Sequence, residues 1–254
     1  LQIKDSAKII LKDLDELNIK KPETIEKATD HIEDYIKMIQ VLLEKGYAYM
    51  AITDHSKYLK VANGLNEERL REQIQLIKEY NRKYDDIVIL SGIEMDILPD
   101  ATLDFDDELL KEVDLVIASI HSSFSQKREL IMERLRNALN NPHVDLIAHP
   151  TGRVIGRRDG YDVDMDELIQ LAKETNTALE LNANPNRLDL SVEHLKKAQA
   201  AGVNIIINTD AHNIGMLEDM KIGVSAGKKA QLQQNTVLNT KSVDELLAFL
   251  KRND

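Results

Sequence analysis

Short runs of apolar, β-branched residues recur along the chain, and several of them stop at a histidine or a carboxylate. Examples are "AYMAITDH", "IVILSGIEMD", "LVIASIH", "VDLIAHP" and "NIIINTDAH". From about residue 47 onward, amphipathic stretches of 10 to 18 residues separate these runs. Strands that alternate with helices are typical of a parallel sheet built from βα units. The pattern therefore predicts an α/β protein with polar groups at the carboxyl ends of its strands.

The periodicity gives approximate positions for these elements. Strands are predicted near 48–53, 87–93, 114–120, 144–148, 178–182 and 203–208. Helices are predicted over 66–84, 126–140, 164–176, 192–202 and 242–253. A long helix near the start has Pro22 in its first turn and Gly46 at its end, where these residues are favoured. The earlier "KIIL" run fits either a seventh strand or part of another helix.

The strand ends also help to choose between two architectures. An open, doubly wound sheet and a closed (β/α) barrel have the same local pattern. A barrel mouth collects the carboxyl ends of all its strands, whereas an open sheet brings ligands together at its switch point. Potential ligands end five different runs, so we expect a single TIM-like barrel with its site at that mouth. No linker-like tract divides the sequence after residue 47.

Composition limits the kinds of site and partner that we expect. The 254 residues carry a formal net charge of −11, so no overall field attracts nucleic acid or an anionic membrane. Cysteine is absent, which excludes disulfides and zinc–thiolate sites and fits a reducing cytoplasm. No run reaches the roughly 20 apolar residues of a membrane span. Because the first residue is Leu1, we interpret the chain as a fragment of a longer protein.

Histidine and carboxylate side chains make up the predicted metal site. Bringing these side chains together without a cation would cost free energy, because buried charges need partners. Oxygen and imidazole ligands suit manganese, zinc or iron, and we expect one or two ions. The predicted ligands are His55, Glu94, His121, His149, Asp210 and His212. The other histidines, at 31, 143 and 194, are interpreted as solvated surface residues.

Basic residues follow two of the predicted strands and are candidates for binding phosphate. Arg153 and Arg157 lie in "HPTGRVIGRRDGYD", and Arg187 lies in "ELNANPNRLDL". Lys60 follows the strand that ends at His55. Guanidinium groups bind phosphate oxygens through paired hydrogen bonds, so these side chains are predicted to hold a phosphorylated substrate. The alternative for each is a polar barrel rim without a ligand.

Several motifs in order resemble the PHP (polymerase and histidinol phosphatase) domain, in particular the version at the carboxyl end of bacterial family X DNA polymerases. They are "AITDHS", "GIEMDILPDA", "ASIHSSF", "AHPTGR", "NANPNRLDL" and "NTDAH". The resemblance covers about residues 35–252 and implies a distorted seven-stranded barrel with a multinuclear, commonly manganese-dependent centre; we expect 1–254 to be a single domain of this type, with 1–34 as a divergent segment. It also implies 3′-5′ exonuclease or 3′-phosphatase action on DNA ends, beside polymerase domains. By motif, the six ligands above match, and Glu94, His149 and Asp210 become the catalytic candidates, with Glu94 bridging the ions.

The chain departs from the family at its start. The family begins with a strand that carries an H-x-H motif, and residues 1–34 contain none. We therefore expect weakened activity. Three explanations of the departure stay open: a degenerate domain, an altered sequence, or an amino-terminal part that does not belong to this domain. The alternatives to the DNA-end phosphoesterase are a non-catalytic module that supports a polymerase and a phosphatase for a small ester such as histidinol phosphate.

Overall fold

A computed structural model describes residues 32–250, and within it six parallel strands alternate with helices. The strands pair in chain order as one sheet. They are β1 (Tyr49–His55), β2 (Val88–Asp96), β3 (Leu115–Ser119), β4 (Leu146–Ile147), β5 (Ala178–Asn182) and β6 (Ile205–Asn208). All six predicted strands are confirmed. The "KIIL" run lies outside the described residues, so the seventh strand and the closed barrel stay predictions.

Helices connect successive strands, as parallel pairing requires. The helix α1 (Ile32–Glu44) precedes β1; the connecting helices are α2 (Glu67–Lys83), α3 (Asp107–Leu110), α4 (Arg128–Asn140), α5 (Met165–Glu174) and α6 (Val192–Ala201); and β6 is followed by α7 (Met220–Lys229) and α8 (Val243–Leu250). Short 3₁₀ helices span Lys60–Ala62, Ile214–Asp219 and Leu238–Thr240. Four of the predicted helices after residue 47 correspond to α2, α4, α5 and α6, and the terminal one corresponds to α8.

Local sequence explains where two of these helices begin and end. The side chain of Asn66 accepts a hydrogen bond from the backbone N–H of Arg69 and so caps the start of α2. Ser191 caps α6 in the same way through the N–H of His194. Gly202 ends α6 with φ of 87°, a left-handed conformation that glycine adopts without steric cost. These caps fix the length of each crossover and hence the strand that follows.

The outer edge of β6 is covered by the chain that precedes α8. Ile205 forms an isolated parallel bridge with Val237. Two residues after Val237, the side-chain amide of Asn239 accepts a hydrogen bond from the N–H of Ile207 at 2.7 Å and donates one to the carbonyl of Ile207 at 2.9 Å. Asn239 thus pairs with β6 as a neighbouring strand would. The sheet is curled into a half-barrel, and on the outer edge of its last strand the backbone groups of Ile205 and Ile207 find these partners.

An apolar core holds the sheet against the terminal helix. Leu90, Ile117 and Ile206 belong to one buried cluster that also includes Leu246 of α8. The chain contacts divide into two units, residues 1–42 and residues 43–254. All six strands that the structure describes lie in the second unit, and so do the site residues described below. None of the helices in residues 32–250 combines the length and apolar character needed to cross a membrane.

Candidate metal centre

Three histidines surround the carboxylate of Glu94 at the carboxyl ends of β1 to β4. The Nδ1 atom of His55 lies 3.5 Å from Oε2 of Glu94. The Nε2 atoms of His121 and His149 lie 3.2 and 3.0 Å from its Oε1. Glu94 is 8% exposed, so this contact takes place inside the fold. The structure therefore brings four of the six predicted ligands together from four different strands.

These groups have the chemistry that a divalent cation requires. Ligand atoms of His55, Glu94 and His121 all lie within 4.8 Å of one another. Among the described residues, the buried Nδ1 atoms of His55 and His149 have no hydrogen-bond partner. Imidazole nitrogens without a partner beside a buried carboxylate are costly unless a proton or a metal ion joins them. The donor set therefore fits a divalent ion, and its ligand roles stay predictions.

The protonation of this cluster depends on the same contacts. Burial opposes the charged form of His121, but hydrogen bonds with Asp96 and Glu94 outweigh it and raise its pKa to about 9. Burial lowers the pKa of His55. Burial disfavours the Glu94 carboxylate, yet hydrogen bonds from His121 and His149 hold its pKa well below the usual range. A proton on His121 compensates the Glu94 charge, and a metal ion would take its place.

The remaining two predicted ligands lie at the end of β6 and are arranged differently. An oxygen of Asp210, Oδ2, lies 3.2 Å from Nδ2 of Asn182 and 3.5 Å from Nε of Arg187. The His212 side chain is 64% exposed, and its Nδ1 lies 2.8 Å from the carbonyl oxygen of Asp210. The ring centroid of His212 is 6.4 Å from that of His55. Both residues thus lie on the same side of the sheet, outside the compact group around Glu94.

Backbone strain also marks two of these positions. His149 has φ of 30° and Asp210 has φ of 52°, in the region that favours glycine. Such conformations cost on the order of 1–3 kcal/mol each and persist where surrounding contacts fix them. Both are predicted ligands that lie two residues after the end of a strand. The strain indicates that the fold places these two side chains at an energetic cost.

The basic residues proposed for phosphate binding fall into three environments. Arg153 donates from Nε to the carbonyl of Arg187 at 2.9 Å and also to the carbonyl of Leu188, so its guanidinium joins two loops. Arg187 lies beside Asp210, and its buried Nη1 has no hydrogen-bond partner among the described residues. Lys60 and Arg157 are exposed. Arg187 is therefore the one best placed to bind a substrate at the site.

Two other basic side chains are engaged in nearby contacts. Lys57 pairs with Glu67 at 2.5 Å. The Arg158 guanidinium lies 3.9 Å from the centroid of the Phe124 ring and donates to the carbonyl of Gly152. Of the histidines predicted to be solvated, His31 lies outside the described residues and His143 is only partly exposed; His194 is also only partly exposed, and burial lowers its pKa. That prediction was wrong in part, because α6 turns this ring toward the protein.

The site contains buried carboxylates that were not predicted, two of which are Asp96 and Asp189. Asp96 is fully buried, and its Oδ2 lies 3.2 Å from Nδ1 of His121. It lies two residues after Glu94, so strand periodicity places both carboxylates on one face, and that signal was available in the sequence. Asp189 accepts hydrogen bonds from the N–H groups of Thr151 and Gly152, both at 3.0 Å. It fixes the loop that follows His149, a contact between distant segments that sequence spacing does not reveal.

Most of the chain matches PolX and probable phosphatases, whereas a family model of a different kind matches its amino-terminal part. The chain is 61% identical over 218 residues to the DNA polymerase/3′-5′ exonuclease PolX of Bacillus subtilis (strain 168). That match covers 86% of this chain and 38% of PolX, so the chain spans less than half of that curated relative. A probable phosphatase of Thermoanaerobacter sp. (strain X514) is 28% identical over 221 residues, which cover 82% of this chain and 84% of that protein.

A solved structure shares the fold. It is the histidinol phosphate phosphatase of Lactococcus lactis subsp. lactis Il1403, crystallised with zinc, L-histidinol and phosphate. The TM-score is 0.50 at 18% identity, and the match covers 78% of this chain and 88% of that one. A family model for the catalytic domain of class I (C) tRNA synthetases matches residues 3–88.

The chain is homologous to PolX and to the probable phosphatases. These relatives are named as enzymes, and with the histidine and glutamate cluster they are consistent with a metal-dependent phosphoesterase.

Proposed function

We propose that this chain is a PHP-type phosphoesterase that uses a divalent transition-metal ion, with manganese as the first candidate, to hydrolyse phosphate esters at DNA 3′ ends. The observation that carries the proposal is the convergence of three imidazoles on buried Glu94 at the carboxyl ends of the strands. The 61% identity to a protein named as a 3′-5′ exonuclease supports the substrate.

The chain's own residues have distinct roles in this proposal. His55, Glu94, His121 and His149 would hold the ion, with Asp210 and His212 completing its surroundings. A bound divalent ion supplies Lewis acidity toward phosphoryl oxygens and lowers the pKa of bound water. Arg187 would orient the phosphate, since its guanidinium lies beside Asp210 and keeps one nitrogen without a partner. Guanidinium groups suit this role because they present parallel donors to two phosphate oxygens.

Two other functions have specific support. A phosphatase for a small phosphomonoester is favoured by the probable phosphatase that this chain matches over 84% of its length. A module that supports an adjacent polymerase without catalysis is favoured by the missing H-x-H motif and by the larger size of PolX.

The amino-terminal match to a tRNA synthetase model favours the view that the first residues belong to a different family.

One set of assays separates these functions. The purified chain is given manganese and offered a 3′-hydroxyl oligonucleotide, the same strand with a 3′-phosphate, and p-nitrophenyl phosphate. The proposal expects release of nucleotides or 3′-phosphate, loss of that activity in EDTA, and weak turnover of p-nitrophenyl phosphate. Preference for p-nitrophenyl phosphate would favour the small-ester phosphatase, and inactivity on all three with manganese bound would favour the supporting module.

A pair of arginine variants tests the substrate site. Arg187→Ala should raise KM for the oligonucleotide because it removes the partly buried guanidinium beside Asp210. Arg82→Ala is the matched control, since Arg82 lies in the last turn of α2, which leads into the amino end of β2 and so away from the site. Equal KM values in the two variants would mean that Arg187 does not bind the substrate and is a polar residue of the barrel rim.

A further inference from the structure

Glu180 is a buried carboxylate of β5 that none of the sequence predictions used. It lies in the middle of β5, between β4 and β6, and is 3% exposed. Its strand register pairs it with Ile206 of β6. The strand on one side leads to His149 and the strand on the other leads to Asp210. Glu180 therefore lies between two predicted ligands that come from different strands.

Three hydrogen-bond donors converge on this carboxylate. Oε2 accepts from the backbone N–H of His149 at 2.6 Å and from Nδ2 of Asn182 at 3.2 Å. Oε1 accepts from Nδ2 of Asn208 at 2.9 Å. A carboxylate is the one side chain of this size that offers only acceptors. A glutamine in its place would present an NH₂ group to at least one of these donors.

Each donor belongs to a segment that places a predicted ligand. The His149 peptide is held in a left-handed conformation, which needs fixing contacts to persist. Asn208 ends β6 two residues before Asp210. The same amide nitrogen of Asn182 that reaches Glu180 also lies 3.2 Å from Oδ2 of Asp210. One carboxylate thus connects the backbone of His149 with the segment and the side chain of Asp210.

We propose that Glu180 is a positioning residue, which fixes His149 and Asp210 in the arrangement that binds the cation. This inference rests on the proposed function. Both oxygens of Glu180 already accept hydrogen bonds from the protein, so it acts through the ligands and not as one of them. Partners that orient metal ligands commonly contribute 10–100-fold to metal affinity or activity.

Glu180→Gln and Asp145→Asn form a matched pair for the test. Asp145 is also buried, and its Oδ2 accepts from the backbone N–H of Val116 at 2.9 Å, but it lies at the amino end of β4, away from the site. The dissociation constant for Mn²⁺ is measured by electron paramagnetic resonance of the free ion, without substrate. Urea unfolding in EDTA measures stability separately.

The expected result is a dissociation constant about 10-fold or more higher for Glu180→Gln. Asp145→Asn should change it less than twofold while also lowering stability. An unchanged constant in Glu180→Gln, or an equal rise in both variants, would overturn the positioning role. If Glu180→Gln does not fold, Asn208→Ala removes one donor instead, and there an unchanged constant overturns the role while a rise of about threefold or more supports it. Failure of the wild-type chain to bind Mn²⁺ would instead refute the proposed function.

Discussion

Raising the pH should destabilise the metal-free protein, and His121 is the reason. Its Nδ1 lies 3.2 Å from Asp96, its Nε2 lies 3.2 Å from Glu94, and its side chain is 11% exposed. Burial works against its charged form, but these two carboxylates raise its pKa to about 9. In the unfolded chain the pKa of histidine is about 6.5. Between these values the folded protein holds a proton that the unfolded chain has released.

The sign and size follow from proton linkage. Because the native state binds more protons, the free energy of unfolding falls as pH rises, by up to about 1.4 kcal/mol per pH unit. The contribution is complete below pH 6.5 and is lost as pH passes through about 9. From pH 7 to pH 9 the expected loss is about 2 kcal/mol. Burial raises the pKa of Glu180 to about 7. Titration of Glu180 therefore also lowers the free energy of unfolding as pH rises, but mainly below pH 7 and so outside this window.

Urea unfolding at pH 7, 8 and 9 in EDTA measures this loss. Two comparisons identify its source. His121→Gln should remove the slope, because the titrating ring is gone. Saturating manganese should reverse it, because the metal ion competes with the proton for the same nitrogen. A flat free energy of unfolding in the metal-free wild type, or an equal slope in His121→Gln, would refute the assignment of the proton to this ring.

Four further outcomes can be measured. Asp96→Asn should weaken Mn²⁺ binding by about 10-fold or more, because it removes the carboxylate that orients His121, and the free-ion resonance reports it. Arg134→Ala should lower the free energy of unfolding by about 3 kcal/mol or more, because its buried guanidinium satisfies the carbonyls of two loops. Arg153→Ala should lower the free energy of unfolding, measured in urea, by about 1–3 kcal/mol, because Arg153 joins two loops through hydrogen bonds. Arg157→Ala should lower it by under about 0.5 kcal/mol, because Arg157 is exposed. Removing residues 1–42 should leave the Mn²⁺ dissociation constant unchanged, because every predicted ligand lies in the other unit; weaker binding would show that this segment contributes ligands.

Strand positions could be predicted from the sequence because burial on both faces produces continuous apolar runs. The run before His149 illustrates the limit of that signal. The prediction was 144–148, but β4 has only two residues, Leu146 and Ile147. Positive φ at His149 turns the chain out of the ladder, and the side chain of Asp145 takes the N–H of Val116 at the other end. Both contacts depend on neighbouring strands, which the local sequence does not specify.

Helix α7 could not be predicted because two glycines interrupt its pattern. A β-carbon on Gly223 would lie 2.7 Å from side-chain atoms of both Ala183 and Ile207. The helix therefore packs so closely on β5 and β6 that only glycine fits there. Helix propensity alone penalises glycine by about 1 kcal/mol, and tertiary packing overrides that preference. The sequence shows the penalty, whereas the compensating contact is visible only in the fold.

The site was predictable to the extent that each ligand ends its own strand. His55, His121 and His149 follow that rule, and the fold brings them together around Glu94. Glu180 does not follow it, because it lies inside β5, where an apolar run would normally place another aliphatic side chain. Its function depends on three donors from β4, β5 and β6, so no spacing within one segment identifies it.

Electrostatics connects these observations. Glu94, Asp96 and Glu180 are three carboxylates buried within one sheet of a chain whose formal net charge is −11. Buried charges persist only when partners compensate them. Neutral N–H donors satisfy both oxygens of Glu180, although burial still raises its pKa, whereas Asp96 and Glu94 share the ring of His121. Compensation of the Glu94 charge thus depends on a proton held by His121, which a cation can replace, so Glu94 is the carboxylate around which a cation is expected to bind.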